Sequence, residues 1–160
     1  MNQIIRVLTV CLFILLSACS KKEDSSALLL ESDAASNDIA SYLFARQESA
    51  QRDPSGVYYQ IINIGDQVRR ATPTSVPVLK YTYELIDGRT VATSFDATDF
   101  GGRQLKDHIP GWQVGLTKIY KGGKIRLFIP PAMAFGSIGV PLLVPPNAIL
   151  ISTLELVDIR

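Results

Sequence analysis

The chain has 160 residues, 47% of them hydrophobic and 19% charged, with 16 Lys and Arg against 15 Asp and Glu and a formal net charge of +1. This length allows one domain plus additional segments, and a near balance of charge without a basic stripe speaks against nucleic acid as a partner. The two cysteines are Cys11 and Cys19 and the sole histidine is His108; no disulfide framework or metal site of those residues is available to the remainder, and no cofactor is expected.

The first segment, 1–18, carries one positive charge, Arg6, and then an apolar stretch from Val7 to Leu16 broken only by Thr9. A spanning helix needs about 20 apolar residues, so this length fits the middle of a signal peptide instead. The run Leu16-Ser17-Ala18-Cys19 resembles the lipobox of bacterial lipoproteins. That resemblance implies cleavage before Cys19, acylation of Cys19 and membrane attachment through it; the plainer alternative is an ordinary signal peptide with a chance cysteine. Ser20 rather than Asp after the cysteine implies, by the same resemblance, an outer-membrane lipoprotein of the bacterial envelope facing the periplasm. Residues 19–36 are rich in Ser, Asp and Ala, lack aromatics, and read as a flexible tether.

At Asn37 the pattern changes. Asn37 or Asp38 caps a predicted helix in which Ile39, Tyr42, Leu43 and Ala50 recur near helical spacing, giving an extension over 37–53. Asp53-Pro54-Ser55-Gly56 stops it and opens the main domain, 54–160. Val57 to Ile62 is β-branched and aromatic, and 70–77 reads as a loop. In Leu79 to Leu85 strict alternation places Leu79, Tyr81, Tyr83 and Leu85 on one face, and Asp87-Gly88 marks a hairpin turn. A loop-rich stretch, 92–110, leads to a short helix near 112–119. Lys124 to Ile129 is a strand that alternates less cleanly; a long Gly/Pro loop over 131–147 then feeds a last strand, Ala148 to Ile159. Antiparallel strands, one short helix and long loops make the fold α+β.

The sole tryptophan, Trp112, directly follows Pro110-Gly111, where a loop hands over to that short helix. Tyr81, Asp87-Gly88, Ile109-Pro110-Gly111-Trp112, Gly122-Gly123-Lys124, Ile129-Pro130-Pro131, Ala134-Phe135-Gly136, Val144-Pro145-Pro146-Asn147-Ala148 and Glu155-Leu156 follow in that order. From about Gly56 to Arg160 the sequence resembles the FKBP-type peptidyl-prolyl cis/trans isomerases, and its entry, Ser55 to Tyr59, resembles bacterial members with a helical extension. The resemblance implies a curved antiparallel sheet wrapped around one short helix. It also implies an enzyme acting on Xaa-Pro bonds of proline-containing polypeptides of the envelope.

By the same resemblance Trp112 is the floor of an apolar pocket, Tyr81 a wall, His108 and Ile109 its edge, and Leu143 and Val144 its rim. Each has a plainer alternative: a core plug for Trp112, cross-strand packing for Tyr81, a lone exposed histidine for His108. Phe135 stands where the family usually has a tyrosine, and Ser152 where it tends to have a phenylalanine. The family's Phe-Asp pair belongs soon after the Asp-Gly turn. Counted without gaps that place is Val91-Ala92, whereas Phe95-Asp96 comes four residues later. Phe95 and Asp96 are taken as the site pair, with Asp99-Phe100 the second candidate, so Tyr81, Ile109, Asp96, Trp112 and Phe135 are the expected catalytic set, and Phe95, Phe100, His108, Leu143 and Val144 the substrate-binding set. The rival readings are a proline-segment binding module or chaperone-like lipoprotein with little turnover, and a structural lipoprotein with a vestigial pocket, recognisable by Leu142 or Leu143 lying over Trp112. Oligomeric state does not follow from the sequence.

Overall fold

The computed structural model describes residues 38–160. Cys19, the signal segment and the tether lie outside the described residues. Helix α1 covers 38–45, followed by β1 (Gln51–Arg52), β2 (Tyr58–Asn63), β3 (Pro77–Leu85) and β4 (Thr90–Thr93). Helix α2 (Pro110–Leu116), β5 (Lys124–Ile129) and β6 (Leu150–Ile159) complete the fold. The strands form one antiparallel sheet in the order β1-β2-β5-β6-β3-β4. The α+β expectation holds.

Two apolar layers explain why some strands alternate cleanly and others do not. On the inner face, Leu79 and Leu85 of β3, Ile125, Leu127 and Ile129 of β5, and Leu150, Leu154 and Leu156 of β6 pack with Trp112 and Leu116 of α2. On the outer face, Phe128 and Ile151 are covered by Ile39 and Leu43 of α1, one helical turn apart. Burying a side chain of this size contributes about 1.5–3 kcal/mol, so the strands beneath α1 are selected for apolar residues on both faces. That is why Lys124 to Ile129 lacks strict alternation.

The predicted extension is shorter than 37–53. The helix ends at residue 45, where Gln47 takes φ 55° and Glu48 N–H donates to the Leu43 carbonyl at 2.9 Å. Gln51 and Arg52 pair with Tyr59 and Tyr58, so Asp53-Pro54-Ser55-Gly56 is a hairpin turn and not a helix stop. Asp53 Oδ1 accepts from Ser55 N–H at 3.0 Å, and Asp53 and Val57 close the turn at 2.8 Å. Short polar side chains that fold back on their own backbone favour such turns.

The central helix also begins earlier than predicted, at Pro110, whose fixed φ suits a first helical position. Its two glycines let it press onto β5. A Cβ at Gly111 would lie 2.5 Å from Ile129 Cγ2, and one at Gly115 would lie 2.5 Å from Leu127 Cδ1. The close approach carries the indole of Trp112 onto the inner face of β3 and β6.

Candidate functional site

Trp112 is the hub of an aromatic group on the inner face, and it is only 1% exposed. Its ring lies 5.4 Å from Tyr81, 5.2 Å from Tyr83, 5.7 Å from Phe100 and 5.3 Å from His108, between centroids. Tyr81 and Phe100 meet it edge-on, at 63° and 65°; Tyr83 and His108 are closer to parallel, at 31° and 27°. Phe135 joins through Tyr83, edge-on at 6.0 Å. The indole N–H donates to Ser152 Oγ at 3.0 Å, and the Ser152 hydroxyl donates to the Thr82 carbonyl at 3.2 Å. Ser152 is fully buried, so a buried donor meets a buried acceptor and neither is left unpaired.

His108 is buried, stacked on Trp112 and edge-on to Phe100 at 5.0 Å, which removes the plainer alternative of a lone exposed histidine. Burial, helped by the positive charge of Arg103, holds its pKa below the usual 6.5. It is therefore a neutral aromatic surface at neutral pH, and its Nε2 has no hydrogen-bond partner. Burial likewise raises the Tyr83 phenol well above its ordinary value, so it is a neutral hydroxyl.

The structure does not bring Phe95 and Asp96 into this group. Phe95 is 88% exposed and Asp96 is exposed. The cause is the backbone. Ser94 N–H donates to the Tyr81 carbonyl, Ser94 Oγ accepts from Tyr81 N–H, and Thr98 bonds Leu79 in both directions, all at 2.9 Å. Three residues, 95–97, thus lie between bonded positions that on β3 are separated by Lys80 alone, and the excess bulges into solvent. Beyond the bulge Phe100, at φ 54°, turns its ring inward to Tyr81 and Trp112. Asp99 goes the other way, to Arg160 at 2.7 Å. The ungapped place, Val91-Ala92, lies in β4: Ala92 pairs with Tyr83, and Val91 packs on the core. Neither candidate aspartate stands among the rings.

Ile109 caps α2 and packs, half-buried, against the core, which Val144 joins as a buried member. Leu143 and Val144 line an open groove of about 460 Å³ together with Arg89, Ile138, Val140 and Leu142. Leu142 and Leu143 are exposed, at 106% and 51%, and do not cover the indole. Tyr83 is the site residue that sequence reasoning left out, and Ser152, singled out there only as a departure from the family, is the indole's hydrogen-bond partner. Alternation put Tyr83 on the correct face; its pairing with Ser152 across β3 and β6 required the register.

A family model for FKBP-type peptidyl-prolyl cis-trans isomerase matches residues 67–157. The chain belongs to this family. Among FKBP-type relatives, it is 34% identical over 145 residues to the isomerase FkpA of Escherichia coli K12, covering 88% of this chain and 53% of that protein. A probable FKBP-type isomerase of Haemophilus influenzae is 32% identical over 117 residues, 73% of this chain and 48% of that one. The chain thus spans about half the length of these curated relatives. Against the crystal structure of Escherichia coli FkpA the TM-score is 0.62 at 33% identity, over 85% of this chain and 65% of that one. A Pseudomonas syringae peptidyl-prolyl isomerase shares the fold, with TM-score 0.66 at 23% identity over 81% and 96% of the two chains.

Proposed function

We propose that this chain is a peptidyl-prolyl cis/trans isomerase that accelerates rotation about Xaa-Pro bonds of polypeptides. One observation carries the reading: in a member of this family, Tyr81, Tyr83, Phe100 and His108 gather around Trp112 on the inner face of the sheet, and Phe135 joins them through Tyr83. Rotation about a peptide bond meets a barrier of about 18–20 kcal/mol that comes from amide resonance. At proline both isomers are populated, yet they exchange over tens of seconds or more. No bond is broken, so the chemistry asks for no nucleophile. The planar amide has charge-separated resonance that water supports, and the twisted amide has less of it. An apolar aromatic site therefore holds the twisted form better than the planar one, and each 1.36 kcal/mol of that difference is about tenfold in rate. Phe135 supplies apolar wall without a hydroxyl for a substrate carbonyl, so orientation falls to the backbone and to shape.

The test is relaxation of an Ala-Leu-Pro-Phe peptide from cis to trans, with and without the protein and its Trp112→Ala variant. Acceleration that the variant loses, while still folded by circular dichroism, is the expected result. Binding without acceleration would replace the enzyme by a holding module for proline-containing segments.

The location we propose is the bacterial envelope, with an acylated Cys19 anchoring the chain to the outer membrane; support comes from Leu16 to Ser20 alone. Each buried CH₂ of an acyl chain contributes about 0.8 kcal/mol, so several chains make attachment long-lived. Incorporation of an alkyne-tagged fatty acid that Cys19→Ala abolishes is expected; label that survives the substitution would overturn the anchor.

A further inference from the structure

Trp112 is only 1% exposed, so anything that reaches its indole must displace a neighbouring ring, and Tyr83 is a half-buried one. On β6, Ser152 sits opposite Tyr83 of β3 on one side and Leu127 of β5 on the other. A hydroxymethyl group between two large side chains leaves space on the inner face, and the indole fills it from α2. Tyr83 then lies along that indole at 5.2 Å and 31°, propped edge-on by Phe135 at 6.0 Å. Tyr81 and Phe100 meet the indole at steep angles, 63° and 65°, and so do not lie along it. His108, the other near-parallel ring, is buried, and its backbone is held by Gln113 Nε2, which donates to its carbonyl at 2.7 Å, and by its own N–H, which donates to Leu105. Tyr83 is half-buried, so it alone of the two has a way out to solvent.

We propose that Tyr83 is a movable cap on the indole and a specificity-determining residue: a prolyl ring reaches Trp112 only when the phenol swings off it. The ligand class rests on the isomerase reading; the cap itself does not. Displacing one aromatic neighbour weakens binding by about two- to tenfold, the span of a single ring pair. Proline-bearing segments able to offer replacement contacts to the freed phenol are therefore favoured over those that cannot.

Trp112 is the sole tryptophan of the chain, so its fluorescence reports its own cover. Acrylamide quenching is measured on the wild-type protein and on Tyr83→Ala, Tyr83→Leu and Tyr83→Phe, alongside titration with the Ala-Leu-Pro-Phe peptide. Quenching rises from wild type and Tyr83→Phe, which keeps the ring, through Tyr83→Leu to Tyr83→Ala. Peptide affinity of Tyr83→Ala rises about two- to tenfold. Should Tyr83→Ala fail to fold, Tyr83→Leu gives the same comparison with less volume lost. Unchanged quenching in the folded variants overturns the cap, and increased quenching with unchanged or weaker binding overturns its role in selection. Acceleration by the wild-type protein is scored separately: its absence strikes the isomerase reading whatever the quenching shows.

Discussion

Replacing Ser152 by alanine removes one oxygen atom from the centre of the site and leaves the indole N–H of Trp112 with nothing to bond. Both residues are at most 1% exposed, so water does not stand in for the lost partner without a rearrangement of β3 or α2. A buried donor left unpaired costs about 1–3 kcal/mol, and the vacated space is smaller than a methyl group, so cavity cost adds little. The expected loss is about 2 kcal/mol, or roughly 8 °C in midpoint for a domain of this size. The decisive assay is a double-mutant cycle in urea unfolding, with Trp112→Phe as the second change. Phenylalanine has no N–H to orphan, so Ser152→Ala in that background should cost less than about 1 kcal/mol, leaving a coupling of at least about 1 kcal/mol. Equal losses in the two backgrounds would show that the 3.0 Å bond contributes nothing, and the reading of Ser152 as the indole's partner would fall.

Four further outcomes are expected. Gly111→Ala forces a methyl against Ile129 at 2.5 Å, an overpacking that should lower stability by about 1–3 kcal/mol in chemical denaturation despite alanine's better helix propensity. The Asp53–Lys118 pair, at 2.6 Å, holds the Asp53 carboxyl down to about 2; its contribution is present above the ordinary value and is lost as pH falls through about 2, and a cycle with Asp53→Asn and Lys118→Met should give about 1 kcal/mol at neutral pH. His108 has the same sign: its folded-state pKa lies below 6.5, so the unfolded chain takes up the proton first, and the midpoint should fall as pH drops below that value, with a flatter profile in His108→Gln. Phe135→Tyr supplies a hydroxyl beside Tyr83; one net hydrogen bond to a bound peptide should raise kcat/KM about two- to tenfold, and an unchanged value would place residue 135 outside the substrate's reach.

The inner face was legible because alternation is local. Leu79, Tyr81, Tyr83 and Leu85 declare a shared face by spacing alone, and the short helix is expected after Pro110-Gly111, two residues later than its true start at Pro110. What stayed hidden depended on register or on a second layer. Phe95-Asp96 looked like a site pair by residue type, but Ser94 and Thr98 ladder to β3 on either side and expel it. Asp53 to Gly56 looked like the end of a helix because Pro and Gly also end helices; the two-residue strand behind it carries no periodicity to read. The exchange of bulk between Tyr83 and Ser152 is visible only once β3 and β6 are laid side by side, residues that are 69 apart in the chain.

Helix α1 and the aromatic group lie on opposite faces of one sheet. The first described residues therefore stand behind the site, with the sheet between them and Trp112. On the shared strands Phe128 and Ile151 face α1 while their neighbours Leu127 and Ser152 face the rings, so a change beneath α1 reaches Trp112 through one residue step of backbone.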